Sequence, residues 1–144
     1  MKIKIEAVKD NNLRVRYDES SLVEKSRHNL RASYPYEYGF IIGSGENGLD
    51  ALDCFLVSNT TFKIGDVVEC EPFNMFILNE NEEKDIKLLA KRKDEIIEIN
   101  SYEVKMKIES FLVEVFKEWP DVIISFSELL GLEHINLIVK EIKT

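Results

Sequence analysis

The sequence predicts an α+β fold, a small closed or half-closed sheet with helices packed outside it. Three observations predict this. Through the first two-thirds of the 144 residues, apolar runs are short and often alternate with polar side chains at period two. After Asn100 the spacing becomes helical. No internal repeat, low-complexity tract or Pro/Gly-rich linker divides the chain, so a single domain over residues 1–144 is expected.

The elements follow in order. KIKIEAV (2–8) and LRVRY (13–17) both alternate, and the polar stretch Lys9–Asn12 between them predicts a hairpin joining the two. Further strands are expected at YGFII (38–42), ALDCFLV (51–57), DVVECEPFNMFIL (66–78) and KDIKLLAK (84–91). Pro72 lacks an amide hydrogen, so it marks a bulge or an edge position within the longest run. The polar connector Asn79–Glu83 predicts a hairpin tip. In SYEVKMKIESFLVEVFKEW (101–119), Val104, Ile108, Phe111, Leu112, Val115 and Phe116 share one helical face; Ser101 opens the segment and Pro120 stops it. A short strand VIISF (122–126) follows. A second amphipathic helix near 133–142 carries Ile135, Ile138, Val139 and Ile142.

Composition narrows the function classes. A hydrophobic share of 44% with 32% charged residues is that of a soluble globular protein. No apolar run reaches the roughly 18–20 residues of a membrane span. MKIKIEAVKD alternates charge and Ile instead of forming an export signal, so a cytoplasmic location is expected. A net charge of −8 and a pI near 4.9 disfavour nucleic acid as a partner. Such a protein also repels phosphates, unless carboxylate-held divalent cations or focused Lys and Arg side chains reverse the field locally. Cys54 and Cys70 sit singly in apolar runs and are expected as buried, reduced thiols; His28 and His134 match no ligand spacing and are expected to be structural or surface residues.

Four segments carry residue types suited to chemistry. In Gly43–Asp53 three glycines precede Asp50 and Asp53, spaced i and i+3. Either the backbone turns sharply there to bring two carboxylates to hard cations, or it is a turn whose aspartates bond their own backbone. It is neither a Walker loop nor an EF-hand. Asp85 and Lys87, two apart on an extended strand, point to one face and suit a metal and a phosphate oxygen, or form a solvated ion pair. Ser33–Phe40 supplies phenols that pack or donate to phosphate. Arg14, Arg16, Lys25 and Arg27 supply cations whose guanidinium forks match phosphate oxygens, although exposed strand arginines are common.

Taken in order, these segments resemble the soluble family I inorganic pyrophosphatases, enzymes that use divalent metal ions. Tyr34-Pro35-x-x-Tyr38-Gly39-Phe40-Ile41 followed by Gly48-Leu49-Asp50-Ala51-Leu52-Asp53 is similar to the family's Tyr-Pro-x-Asn-Tyr-Gly segment and Asp-Gly-Asp-Pro-Leu-Asp-like signature. Asp85-Ile86-Lys87-Leu88 resembles its Asp-x-Lys-Leu/Ile motif. Gly65 to Pro72 is similar to its Gly-x-x-x-x-x-Arg-Pro strand, and Phe116-Lys117 stands where the family has Tyr-Lys. The resemblance implies an OB-like five-stranded β-barrel with additional strands and two C-terminal α-helices. It further implies hydrolysis of inorganic diphosphate to two orthophosphates, with Mg2+ (or Mn2+ or another divalent cation) as cofactor, in a homo-oligomer. By matching position, Asp50, Lys87 and Tyr38 are the expected catalytic residues. Asp50, Asp53 and Asp85 are the expected metal ligands. Arg14, Lys25, Arg27, Lys87, Tyr38 and Lys117 are the expected substrate contacts.

The chain departs from the family pattern at several points. Gly48 replaces the signature's first aspartate, with Glu46, Asn47 and Glu80 as substitute ligands. Ala51 replaces its proline. Lys4 and Arg16 stand for glutamates on the first two strands, Glu37 for an asparagine, and Phe116 for a tyrosine. These departures motivate one alternative: a pyrophosphatase-like protein, impaired in catalysis, that binds a phosphorylated ligand or a protein partner.

Overall fold

Five strands close on themselves in the computed structural model, which describes residues 1–45 and 50–135. They are β1 (Lys2–Ala7), β4 (Glu37–Ile41), β5 (Asp53–Val57), β7 (Glu83–Arg92) and β6 (Val67–Glu80). Their order is β1-β4-β5-β7-β6, and β1 also pairs with β6, which shuts the ring. All these pairings are antiparallel except β5 with β7. This is the five-stranded barrel that the resemblance implied. Closure removes the edge hydrogen-bonding groups that an open sheet of this size would leave unpaired.

The additional strands lie outside the ring. β8 (Ile124–Phe126) pairs with the far end of β6. β2 (Leu13–Tyr17) and β3 (Glu24–Asn29) form a separate ribbon. The expected hairpin between the first two strands is therefore corrected: β1 pairs with β4 and β6, and β2 turns instead to β3. Ile3, Ile5 and Ala7 are fully buried and demand neighbours from within the barrel, which the half-exposed β2 does not offer.

Period two sorts the barrel residues into two cores. Ile3, Ile5, Cys54, Leu56, Met75 and Leu88 fill the interior. Phe55, Phe76, Leu78 and Leu89, from the alternate positions, meet α1 (Ser101–Phe116) on the outside through Val104, Ile108, Phe111, Leu112 and Val115. The helix starts at Ser101, as expected, and Asn100 is its N-cap, accepting a hydrogen bond from the Glu103 amide. Residues 131–135 are also helical, with Ile135 buried against the barrel interior; the rest of the expected 133–142 helix lies outside the described residues.

Two local signals behave as expected. The register shifts between Pro72 and Asn74, a bulge at the proline. Glu80 pairs with Glu83, leaving a two-residue turn in which Asn81 adopts a left-handed φ of 56°. Cys54 and Cys70 are free and buried.

Candidate active site

The outer face of the barrel positions the charged groups. Asp53 and Lys87 are Cα partners in the parallel β5–β7 pair, and Asp85 lies two residues before Lys87 on the same face. Lys87 Nζ stands 2.8 Å from Asp53 Oδ2 and 2.9 Å from Asp85 Oδ2. The lysine is 5% exposed, so its ammonium is satisfied by protein groups more than by water. Tyr38, on β4, places its hydroxyl 3.5 Å from the same nitrogen. Its ring is fixed by Phe55 at 4.8 Å and Tyr34 at 5.4 Å between centroids.

Arg14 reaches the group from the ribbon. Its guanidinium lies 5.1 Å over the Tyr38 ring and pairs with Glu6 at 3.5 Å, while its buried Nε has no partner. A buried donor left unpaired costs about 1–3 kcal/mol, a debt that an anionic ligand would cancel. Glu6 is a site residue that the sequence reading missed. In β1 the register slips between Ile5 and Ala7, so Glu6 is the extra residue of a bulge. Alternation already assigns Glu6 to the outer face, opposite Ile3 and Ile5, and there it lines the cleft, where its carboxylate also accepts from the Tyr17 amide at 3.2 Å. Glu6 stands as the acid in KIKIEAV, and no spacing rule flags it.

The field at this centre is uneven. Burial works against the Asp53 carboxylate, but Lys87 and Arg14 overcome it and hold Asp53 below the ordinary aspartate range. Burial also works against the Lys87 charge, yet Tyr38, Asp53 and Asp85 keep it firmly protonated. Asp85 is pushed up by burial and by Asp53. Glu80, at the end of β6, is pushed up by burial and by Asp85. Burial raises the Tyr38 phenol far above its usual value, so it remains a neutral donor.

These residues line one cleft of about 880 Å3. Asp50, Asp53, Asp85, Glu80, Lys87, Tyr38, Arg14 and Lys25 all contribute to its wall. Asp50 is exposed on the rim, and the following Ala51 amide donates to Glu19 at 3.0 Å, tying the Asp50 segment to the β2–β3 loop. Two expected contacts fall elsewhere. Arg27 is the Cα partner of Val15, one place out of phase with the cleft-facing pair Arg14 and His28, and it bonds Glu24 on the surface. Lys117 is exposed just past α1 and pairs with Glu114 at 2.7 Å. Glu46, Asn47 and Gly48 lie outside the described residues.

The donor set suits a hard cation only in an open mode. Among the described residues, no group of three or more His, Cys, Asp or Glu side chains is placed to cage a metal ion. Asp53 and Asp85 nevertheless form an adjacent carboxylate pair, and burial, together with the neighbouring carboxylates, already raises Asp85 and Glu80. Magnesium is commonly held by one or two carboxylates together with substrate phosphates, so the residues present fit that type of binding.

Residues 1–124 match the family model described as inorganic pyrophosphatase. The chain belongs to the inorganic pyrophosphatase family. An inorganic pyrophosphatase of Sulfolobus acidocaldarius is 33% identical over 92 residues, 62% of this chain and 53% of that protein, so the match spans about half of the relative's length. The inorganic pyrophosphatase of Nanoarchaeum equitans is 28% identical over 148 aligned positions, covering 95% of this chain and 91% of its own. The solved structure of the Helicobacter pylori inorganic pyrophosphatase superposes with a TM-score of 0.81 at 24% identity, covering 99% of this chain and 91% of that one. At that identity the likeness concerns the fold. Within this pyrophosphatase fold the Asp53–Lys87–Asp85 group lies on the outer barrel face, under the β2–β3 ribbon that carries Arg14. Among the described residues, no helix is long and apolar enough to cross a membrane.

Proposed function

We propose that this chain, as one domain, hydrolyses inorganic diphosphate to two orthophosphates. The observation that carries the assignment is the buried Lys87 ammonium held between Asp53 and Asp85, with Tyr38 beside it and Arg14 across the cleft. Divalent cations, Mg2+ in the first place, would be held by Asp53 and Asp85, with Asp50 and Glu80 on the rim, and would neutralise the diphosphate and acidify the attacking water.

The chain's own groups then have distinct tasks. Asp50, exposed on the rim, takes a proton from the water as its oxygen attacks one phosphorus and the bridging P–O bond breaks. Lys87 and Arg14 stabilise the charge that collects on the leaving phosphate. Tyr38 donates its phenol hydrogen to a phosphate oxygen. Lys25 adds a cation at the ribbon end of the cleft. Arg27 and Lys117 pair with Glu24 and Glu114 on the surface. Phosphate release with magnesium or manganese tests the assignment: Asp50→Asn is expected to lower the rate about 10²–10⁴-fold. Equal and negligible rates in both proteins would end it.

A cytoplasmic location accords with the free thiols of Cys54 and Cys70. Self-association is supported by Tyr102, Met106 and Val113, apolar residues 74%, 67% and 46% exposed along α1.

A further inference from the structure

The cleft is larger and more varied than a bare diphosphate requires. Its volume of about 880 Å3 lies near the top of the roughly 300–1,000 Å3 range of sites that enclose drug-sized ligands. The polar centre at Lys87 and Tyr38 occupies one part of it. On the ribbon, Arg14 is the Cα partner of His28, and both line the cleft. The cleft wall thus runs from the Lys87 centre past Arg14 and His28 to an apolar corner of Leu30, Phe116, Trp119 and Val122.

Trp119 gives that corner its chemistry. The residue is 48% exposed, and Phe116 supports its ring edge-on at 5.7 Å between ring centroids. Half-exposed indole beside a cationic phosphate site is a surface on which a planar ring stacks. A tyrosine would present a hydroxyl at position 116; the Phe116 of this chain leaves that edge apolar.

We propose that the cleft also takes nucleoside diphosphates as substrates, with the phosphates at Lys87 and Arg14 and the base stacked on Trp119. This rests on the phosphoanhydride hydrolysis proposed above. Water attacks the terminal phosphorus and the bond from that phosphorus to the bridging oxygen breaks. The bridging oxygen leaves on the nucleoside monophosphate, orthophosphate is the second product, and the water's proton is released. Neither an oxidant nor a reductant takes part.

Trp119 is the single tryptophan of the chain, so its emission reports on the corner directly. Titration of the full chain with ADP in magnesium is expected to quench that emission saturably, whereas diphosphate leaves it nearly unchanged. ADP turnover is expected in the same buffer. In Trp119→Leu, the ratio of kcat/KM for ADP to that for diphosphate is expected to fall about tenfold or more. Unchanged emission, or an unchanged ratio in the variant, overturns the proposal. Quenching without ADP turnover, while diphosphate is cleaved, overturns the substrate assignment. Cleavage of an isoprenoid diphosphate as readily as ADP overturns stacking as the basis of selection. Failure to cleave diphosphate at all, with ADP quenching intact, would instead sink the hydrolase assignment and leave the base seat standing.

Discussion

Asp53 and Lys87 face each other across the one parallel strand pair of the barrel, and their side chains close a 2.8 Å ion pair there. The second carboxylate of Asp85 shares the same ammonium. Removing the cation would leave two neighbouring carboxylates without their partner. Lys87→Met is therefore expected to cost about 3–5 kcal/mol in urea denaturation. It is also expected to slow phosphate release at least about a hundredfold. A variant as stable as the parent would show that the pair contributes nothing to folding.

Tyr38 separates packing from chemistry. Its ring is held by Phe55 and Tyr34, whereas its hydroxyl meets Lys87 at the long distance of 3.5 Å. Tyr38→Phe keeps the ring and removes the donor. Stability should change by less than about 1.5 kcal/mol, while turnover of diphosphate should fall about 10- to 100-fold, less than loss of a dedicated oxyanion donor costs. Parent-like turnover would remove the hydroxyl from the mechanism.

Gly39 is required by the approach of β1. A Cβ at this position would lie 1.8 Å from the Lys4 carbonyl oxygen, a backbone atom that cannot rotate away. Ile5 is its Cα partner across the pair. Gly39→Ala must push β1 and β4 apart and is expected to cost at least about 1–3 kcal/mol. A thermal melt measures it, and an unchanged melting temperature would contradict the close approach.

Glu37 stands where the family pattern has an amide. It is 4% exposed, and its Oε2 accepts from the Lys9 amide at 2.6 Å. Burial raises its carboxyl above the ordinary 4.5. The folded chain therefore binds that proton more tightly than the unfolded one. Its contribution to stability is complete below the ordinary value and is lost as pH rises through the raised one. Glu37→Gln keeps the acceptor and removes the charge. The variant should gain on the parent as pH climbs from 4.5 towards neutrality. A constant stability difference between them across that interval would contradict this.

Much of the barrel was legible because burial writes a pattern. The apolar runs of β4, β5, β6 and β7 appear where Tyr38–Ile42, Ala51–Val57, Asp66–Leu78 and Lys84–Lys91 predicted them, within a few residues. Pro72 announced its bulge through the missing amide hydrogen. β3 was invisible, because Glu24–Asn29 is exposed throughout and a strand with no buried face has no alternation to read. Its absence from the sequence reading made β1 and β2 look like partners. The same gap hid which of the basic residues face the cleft: the β2–β3 register turns Arg14 inward and Arg27 outward. Asp85 and Lys87 were readable because two residues apart on a strand means one shared face. Glu6 was not, because the ribbon that covers it through Arg14 and Tyr17 includes β3, a strand with no alternation to read.

Anomalous diffraction from a crystal grown with Mn2+ and a non-hydrolysable imidodiphosphate locates the metal and the phosphates together. Manganese is expected on Asp53 and Asp85, bridged to a phosphate that also contacts Lys87 and Arg14. Manganese peaks away from this carboxylate pair, or an analogue bound without any contact to Lys87 and Arg14, would contradict it.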